Sequence, residues 1–130
     1  MRDFAAERNV LEIQDGISGD VHEIYYRMPS NEERAAYQNG AFERRGNKIK
    51  SRIFENRLKF GSRLITGFRK GTIGIDGKAF SSDSSDPDYR QDWKELLVRH
   101  AGDIVASVAA GVFENTGAAR EAEPDIPLEG

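Results

Sequence analysis

An α+β fold, with two short hairpins, one long basic amphipathic helix and a C-terminal helical pair, follows from three features of this 130-residue chain. Charge is segregated: residues 44–70 hold ten basic residues and one acid, Glu55, between flanks of net −5 (residues 1–43) and −7 (residues 71–130). Apolar residues within that basic segment recur at helical spacing. Turn dipeptides separate short β-like runs on either side of it.

The elements follow in order. Residues 10–13 form a short strand candidate, and residues 21–28, with Ile24, Tyr25 and Tyr26, a stronger one. Asp15-Gly16 and Ser18-Gly19-Asp20 between them are turn chemistry, so the two are expected to pair. Pro29 ends the second strand, and Ser30 with Glu33 matches a capping box opening a helix through Tyr37 that Asn39-Gly40 terminates. The basic segment then reads as one helix over residues 41–68. Phe42, Ile49, Ile53, Phe60 and Leu64 make one apolar stripe on it, and Phe54, Leu58, Gly61, Ile65 and Phe68 a second. Asp76-Gly77, between residues 72–75 and 78–80, signals a tight hairpin. Asp86-Pro87 is expected to start a helix whose Tyr89, Trp93, Leu96, Leu97 and His100 share a core-facing side. After the break at Gly102-Asp103, a small-residue helix over 104–113 continues, its Ala106, Ala109, Ala110 and Gly111 suited to close packing on the basic helix.

By length, residues 1–116 make a single α+β domain. Residues 117–130 (GAAREAEPDIPLEG) offer little to bury and are expected to form a disordered acidic tail. The absence of cysteine rules out disulfides and thiolate metal sites and fits a reducing compartment. The first residues lack the apolar core of a signal peptide. The longest apolar run, residues 104–113, is half of the ~20 residues that span a bilayer. A cytoplasmic protein with no membrane partner is the expectation.

Catalytic and metal motifs are missing. The chain has no G-x-S-x-G, P-loop or HExxH, and Gly71, Gly74 and Gly77 fit a hairpin rather than a phosphate cradle. Asp83, Asp86, Asp88 and Asp92 do not follow the calcium-loop spacing and read as caps and turns. His22 and His100 stand in no motif. These readings give no catalytic residue, no metal, no cofactor and no enzyme.

What remains is the cationic face, Arg44, Arg45, Lys48, Arg52, Lys59, Arg63, Arg69 and Lys70, as a candidate partner-binding or anion-binding surface. Such a face either neutralises phosphates or is neutralised by acids, the protein's own or a partner's. No aromatics interleave with it, as a single-strand stacking surface would require. Lys50 and Arg57 fall between the apolar stripes and are expected to snorkel or to meet acids, with Asp92, Glu95 and Asp103 as candidates.

The string YYRMPSNEERAAY, the NRLKFGSRLITGF helix, the GTIGIDGKAFSS hairpin and DYRQDWKELLVRHAGDIV resemble small proteins encoded among bacteriophage and prophage tail genes. Several of those are tail assembly chaperones, which shield the tape measure protein before the tube polymerises. The resemblance implies a non-enzymatic, cytoplasmic virion-assembly protein, a tail assembly chaperone or related tail component. Its partner would be another phage structural protein, such as the tape measure protein, or a second copy. A nucleic-acid-binding accessory protein using residues 44–70 is the alternative reading.

Overall fold

The computed structural model describes residues 9–114 and 119–121. The α+β class holds: four α-helices accompany small antiparallel sheets. Strands β1 (Asn9–Gln14) and β2 (Val21–Tyr26) pair antiparallel in full register, from Asn9 opposite Tyr26 to Gln14 opposite Val21. Alternation sends Leu11, Ile13, His22, Ile24 and Tyr26 to the buried face. Helix α1 (Asn31–Gly40) starts at the capping box: Glu33 N–H donates to Ser30 Oγ (3.1 Å), and Glu33 Oε1 accepts from Ser30 N–H (3.0 Å).

The basic segment is not one helix. It divides into a hairpin, β3 (Phe42–Arg45) and β4 (Lys48–Ser51), then helix α2 (Ile53–Leu64), then strand β5 (Ile65–Phe68). Gly46, at φ 60°, opens a two-residue Gly46-Asn47 loop of the II′ kind, which helical backbone cannot contain. At the other end, β-branched Ile65 and Thr66 favour extended backbone, and β5 gains pairing with β2. The four-stranded sheet takes the order β5-β2-β1-β8. Its last member, β8 (Ala119–Glu121), pairs antiparallel with β1 within the stretch expected to be a disordered tail. The rest of residues 117–130 lies outside the described residues.

The second hairpin, β6 (Gly74–Ile75) and β7 (Lys78–Ala79), turns on Asp76 (φ 52°) and Gly77 (φ 78°), the left-handed pair a type I′ turn demands. Helix α3 (Trp93–His100) begins later than Asp86-Pro87 implied. Residues 81–90 instead form bonded turns, with Ser81 N–H on Asp88 O (2.9 Å) and Arg90 N–H on Ser81 O (3.1 Å). Asp83, Asp86 and Asp92 each accept a local hydrogen bond, Asp83 from Ser85 N–H, Asp86 from Asp88 N–H and Asp92 from Arg90. Helix α4 (Gly102–Ala109) runs into a π-helical stretch, Ala110–Glu114. Among the described residues, no single helix is long and apolar enough to cross a membrane.

Helices α2 and α4 make the tightest contact in the core. Phe60 and Leu64 of α2 and Val105 and Val108 of α4 are at most 2% exposed. Of the small residues expected at this contact, Ala109 packs with Phe60, and Gly61 lies against the backbone of Val105. A Cβ at Gly61 would overlap the carbonyl oxygen of Val105. Gly61→Ala raises helix propensity by about 1 kcal/mol, but overpacking of this kind costs about 1–3 kcal/mol or more. The expected result is a net loss, seen as a lower urea midpoint at unchanged slope.

His22, 2% exposed, bridges two segments far apart in sequence. Its Nε2 donates to Asp15 Oδ2 (2.8 Å) and its Nδ1 meets Thr72 Oγ1 (2.7 Å). The His22 hydrogen bond, with the Ile17 N–H, holds the Asp15 carboxyl far below its ordinary value of 3.8. The Arg27 guanidinium, with the Ser30 N–H, pulls Glu33 from 4.5 to about 2. A depressed carboxyl stabilises the fold above its unfolded-state pKa, and that contribution disappears as pH falls through the folded value. Stability should therefore decline between pH 4.5 and about 2, and Asp15→Asn should flatten the slope. Urea midpoints across that window measure it.

Candidate functional site

The β3–β4 hairpin stands away from both other sheets, and its strands pair with each other alone. Its root is fixed by Arg52 N–H on Ala41 O (2.8 Å) and by buried Asn56, whose Nδ2 donates to Tyr37 O (2.8 Å). Gly40 leaves room for that amide; a Cβ there would collide with it. The register Phe42–Ser51, Glu43–Lys50, Arg44–Ile49, Arg45–Lys48 sorts the ribbon into two faces. One carries Phe42, Arg44, Ile49 and Ser51, and the other Glu43, Arg45, Lys48 and Lys50.

Four large apolar side chains are left in water here. Phe42 is 58% exposed, Ile49 73%, and at the start of α2 Ile53 is 37% and Phe54 53%. The two apolar stripes expected on a continuous helix thus survive only in their second halves, where Phe60, Leu64, Ile65 and Phe68 are buried. Of the first halves, Phe42, Ile49, Ile53 and Phe54 are exposed, while Leu58 packs against the core. Phe42 and Ile49 are diagonal neighbours on one ribbon face, within reach of large side chains.

The eight basic residues do not make one surface. Arg44, Arg45 and Lys48 sit on the hairpin, Arg52, Lys59 and Arg63 at the cap and body of α2, and Arg69 and Lys70 after β5. Half are neutralised internally. Arg45 and Arg52 share Glu43 (3.0 and 2.7 Å), Arg69 binds Glu23 (2.7 Å), and Lys70 binds Asp86 (3.1 Å) and Asp88 (2.6 Å). Arg44, Lys48, Lys59 and Arg63 have no carboxylate partner among the described residues. Lys59 and Arg63 lie over the ring of Phe60, at 5.5 and 5.3 Å from its centroid. Lys50, exposed on the ribbon, faces Glu43 across the strands.

Arg57 does meet an acid, although not one of the three expected. Its Nη2 and Nε donate to Glu114 at 2.5 and 2.9 Å, while Asp92 pairs with Arg90 and Glu95 with Arg99. Tyr37 donates to the same carboxylate. Its ring stacks on Phe113 at 4.1 Å and meets Phe60 edge-on at 5.5 Å. Burial first, then Glu114, pushes the Tyr37 phenol up to about 12. This cluster locks α1, α2 and the π-helical stretch together directly behind the hairpin's root.

A dipeptide signal marked the hairpin: Gly46-Asn47 between residues of alternating character is a two-residue loop signature. The helical spacing downstream masked it. No family model matches the chain, and no curated protein or solved structure is similar to it.

Both partners of the Arg57–Glu114 pair are about 30% exposed. Arg57→Glu should destabilise the fold, and adding Glu114→Arg should restore about 1 kcal/mol. Reversing Asp92, Glu95 or Asp103 beside Arg57→Glu should restore nothing. Urea denaturation of the double-mutant cycle measures both.

Proposed function

We propose that the protein is a non-enzymatic virion-assembly protein of the phage or prophage tail, a chaperone or related tail component. Its binding surface is the β3–β4 hairpin with the first turn of α2. The observation that carries this reading is the exposure of Phe42, Ile49, Ile53 and Phe54 on a ribbon that pairs with no other strand. Water-exposed apolar groups of this size, with Arg44 beside Ile49 on the same ribbon face, suit an apolar segment carrying acidic residues. The partner is such a segment of another viral structural protein, as the tail-gene resemblance implies.

Phosphate binding is favoured by one feature, since a two-stranded ribbon has the dimensions to enter a major groove. Against it stand the net charge of −3 and the internal neutralisation of Arg45, Arg52, Arg69 and Lys70. The apolar side chains have no role in neutralising a backbone.

The test is capture of tagged protein from cells expressing the phage genes, with and without nuclease, with bound proteins identified by mass spectrometry. A tail protein should be recovered at equal yield with and without nuclease. Ile49→Glu with Phe54→Glu should weaken its binding by about thirtyfold, or about 2 kcal/mol. Nucleic acid as the main captured material, lost on nuclease treatment and steeply salt-dependent, would replace this reading with the phosphate one. Equal recovery by the double variant would move the surface elsewhere.

A further inference from the structure

A separate feature lies away from the hairpin: a cavity of about 230 Å³ between the β1–β2 turn, the β6–β7 hairpin and the junction of α3 with α4. Its apolar wall includes Ile73, Phe80, Leu97 and Ile104, the last three at most 5% exposed. Its polar end is the chain Asp15–His22–Thr72, with exposed His100 also in the wall.

With the His22 ring in its neutral form, the partners of the chain set where its protons lie. Asp15 Oδ1 accepts from Ile17 N–H (2.8 Å) and Ser18 N–H (3.3 Å), and Oδ2 faces His22 Nε2 (2.8 Å), the arrangement of an ionised carboxylate. A carboxylate has no proton to give, so His22 Nε2 carries the hydrogen. In the neutral ring Nδ1 is then an acceptor, and the Thr72 hydroxyl donates its one hydrogen to it (2.7 Å). Thr72 Oγ1 is left with acceptor capacity only. The polar end therefore combines hydrogen-bond acceptors with one carboxylate charge, and a complementary ligand must donate and be cationic.

Size sets the rest of the ligand. A cavity of about 150 Å³ holds benzene, so this one holds about nine non-hydrogen atoms. We propose that the cavity binds a small amine with an apolar body of that size, its ammonium donating to Thr72 Oγ1 beside the Asp15 carboxylate and its body against Phe80, Leu97 and Ile104. The site is independent of the hairpin surface, and neither reading requires the other.

The test uses phenethylamine, which has the right atom count, on the full chain, followed through the NMR methyl signals of Ile73, Leu97 and Ile104. Propylbenzene, of like shape without the donor, and phenylacetate, of opposite charge, are the comparisons. Phenethylamine should bind with a Kd at or below about 1 mM and at least about tenfold more tightly than either comparison. Thr72→Val, which keeps the shape and removes the acceptor, should weaken it by a similar factor. Ala101→Phe, filling the cavity from the α3–α4 side, should abolish binding while leaving the Asp15–His22–Thr72 chain in place. If Thr72→Val fails to fold, the Ala101→Phe result and the ligand ranking decide. No methyl shifts, equal binding of propylbenzene, tighter binding of phenylacetate, or unchanged binding in Ala101→Phe would each overturn the proposal.

Discussion

Helices α2 and α4 meet with almost no side chain between their backbones at Gly61 and Val105, and much of the molecule is arranged around that contact. Because the two axes come so close, Leu64, Val105 and Val108 are fully buried in the cluster that includes the sheet, and Phe60 is nearly so against Tyr37 and Ala109. Each such side chain contributes roughly 1.5–3 kcal/mol relative to exposure, so a small displacement of the pair is felt at several sites together. The same contact sets the position of both ends of α2. One end continues without a loop into β5, and the other carries the hairpin.

The charge pattern has a comparable logic. A strongly cationic stretch between acidic flanks is half resolved inside the chain, with Glu23, Glu43, Asp86, Asp88 and Glu114 each drawn to a cation from residues 44–70. These are mostly half-exposed pairs and contribute little stability individually. Their larger effect is on position: Lys70 ties β5 to the turns of residues 81–90, and Arg69 ties it to β2. Of the cations left over, Arg44 shares the ribbon face of Phe42 and Ile49, while Lys59 and Arg63 lie over the ring of Phe60.

Local chemistry made part of this legible. Asp76-Gly77 and the Ser30–Glu33 capping box are encoded within four residues and formed where expected. The basic segment was not legible, because its apolar residues fit a helical period as well as they fit a ribbon followed by a shorter helix. What decided between them was Gly46 in the left-handed region and the pairing of β5 with β2, which a helical wheel does not see. The candidate surface was legible in composition but not in arrangement. Its cations were identified, while Phe42, Ile49, Ile53 and Phe54 were placed on the stripes of a continuous helix that the hairpin interrupts. His22 could not be read at all, since Asp15 and Thr72 come to it from positions 7 and 50 residues away.

The π-helical stretch at Ala110–Glu114 has a mechanical consequence for the sheet. Its turn is wider than an α-turn, a geometry that persists where side-chain contacts hold it. Here the grip comes from Tyr37 and Phe60 on Phe113 and from Arg57 and Tyr37 on Glu114. Five residues later the chain enters β8 and closes the edge of β1. The widened turn is thus held from α1 and α2, next to the root of the exposed ribbon, at the end of the helix that precedes β8.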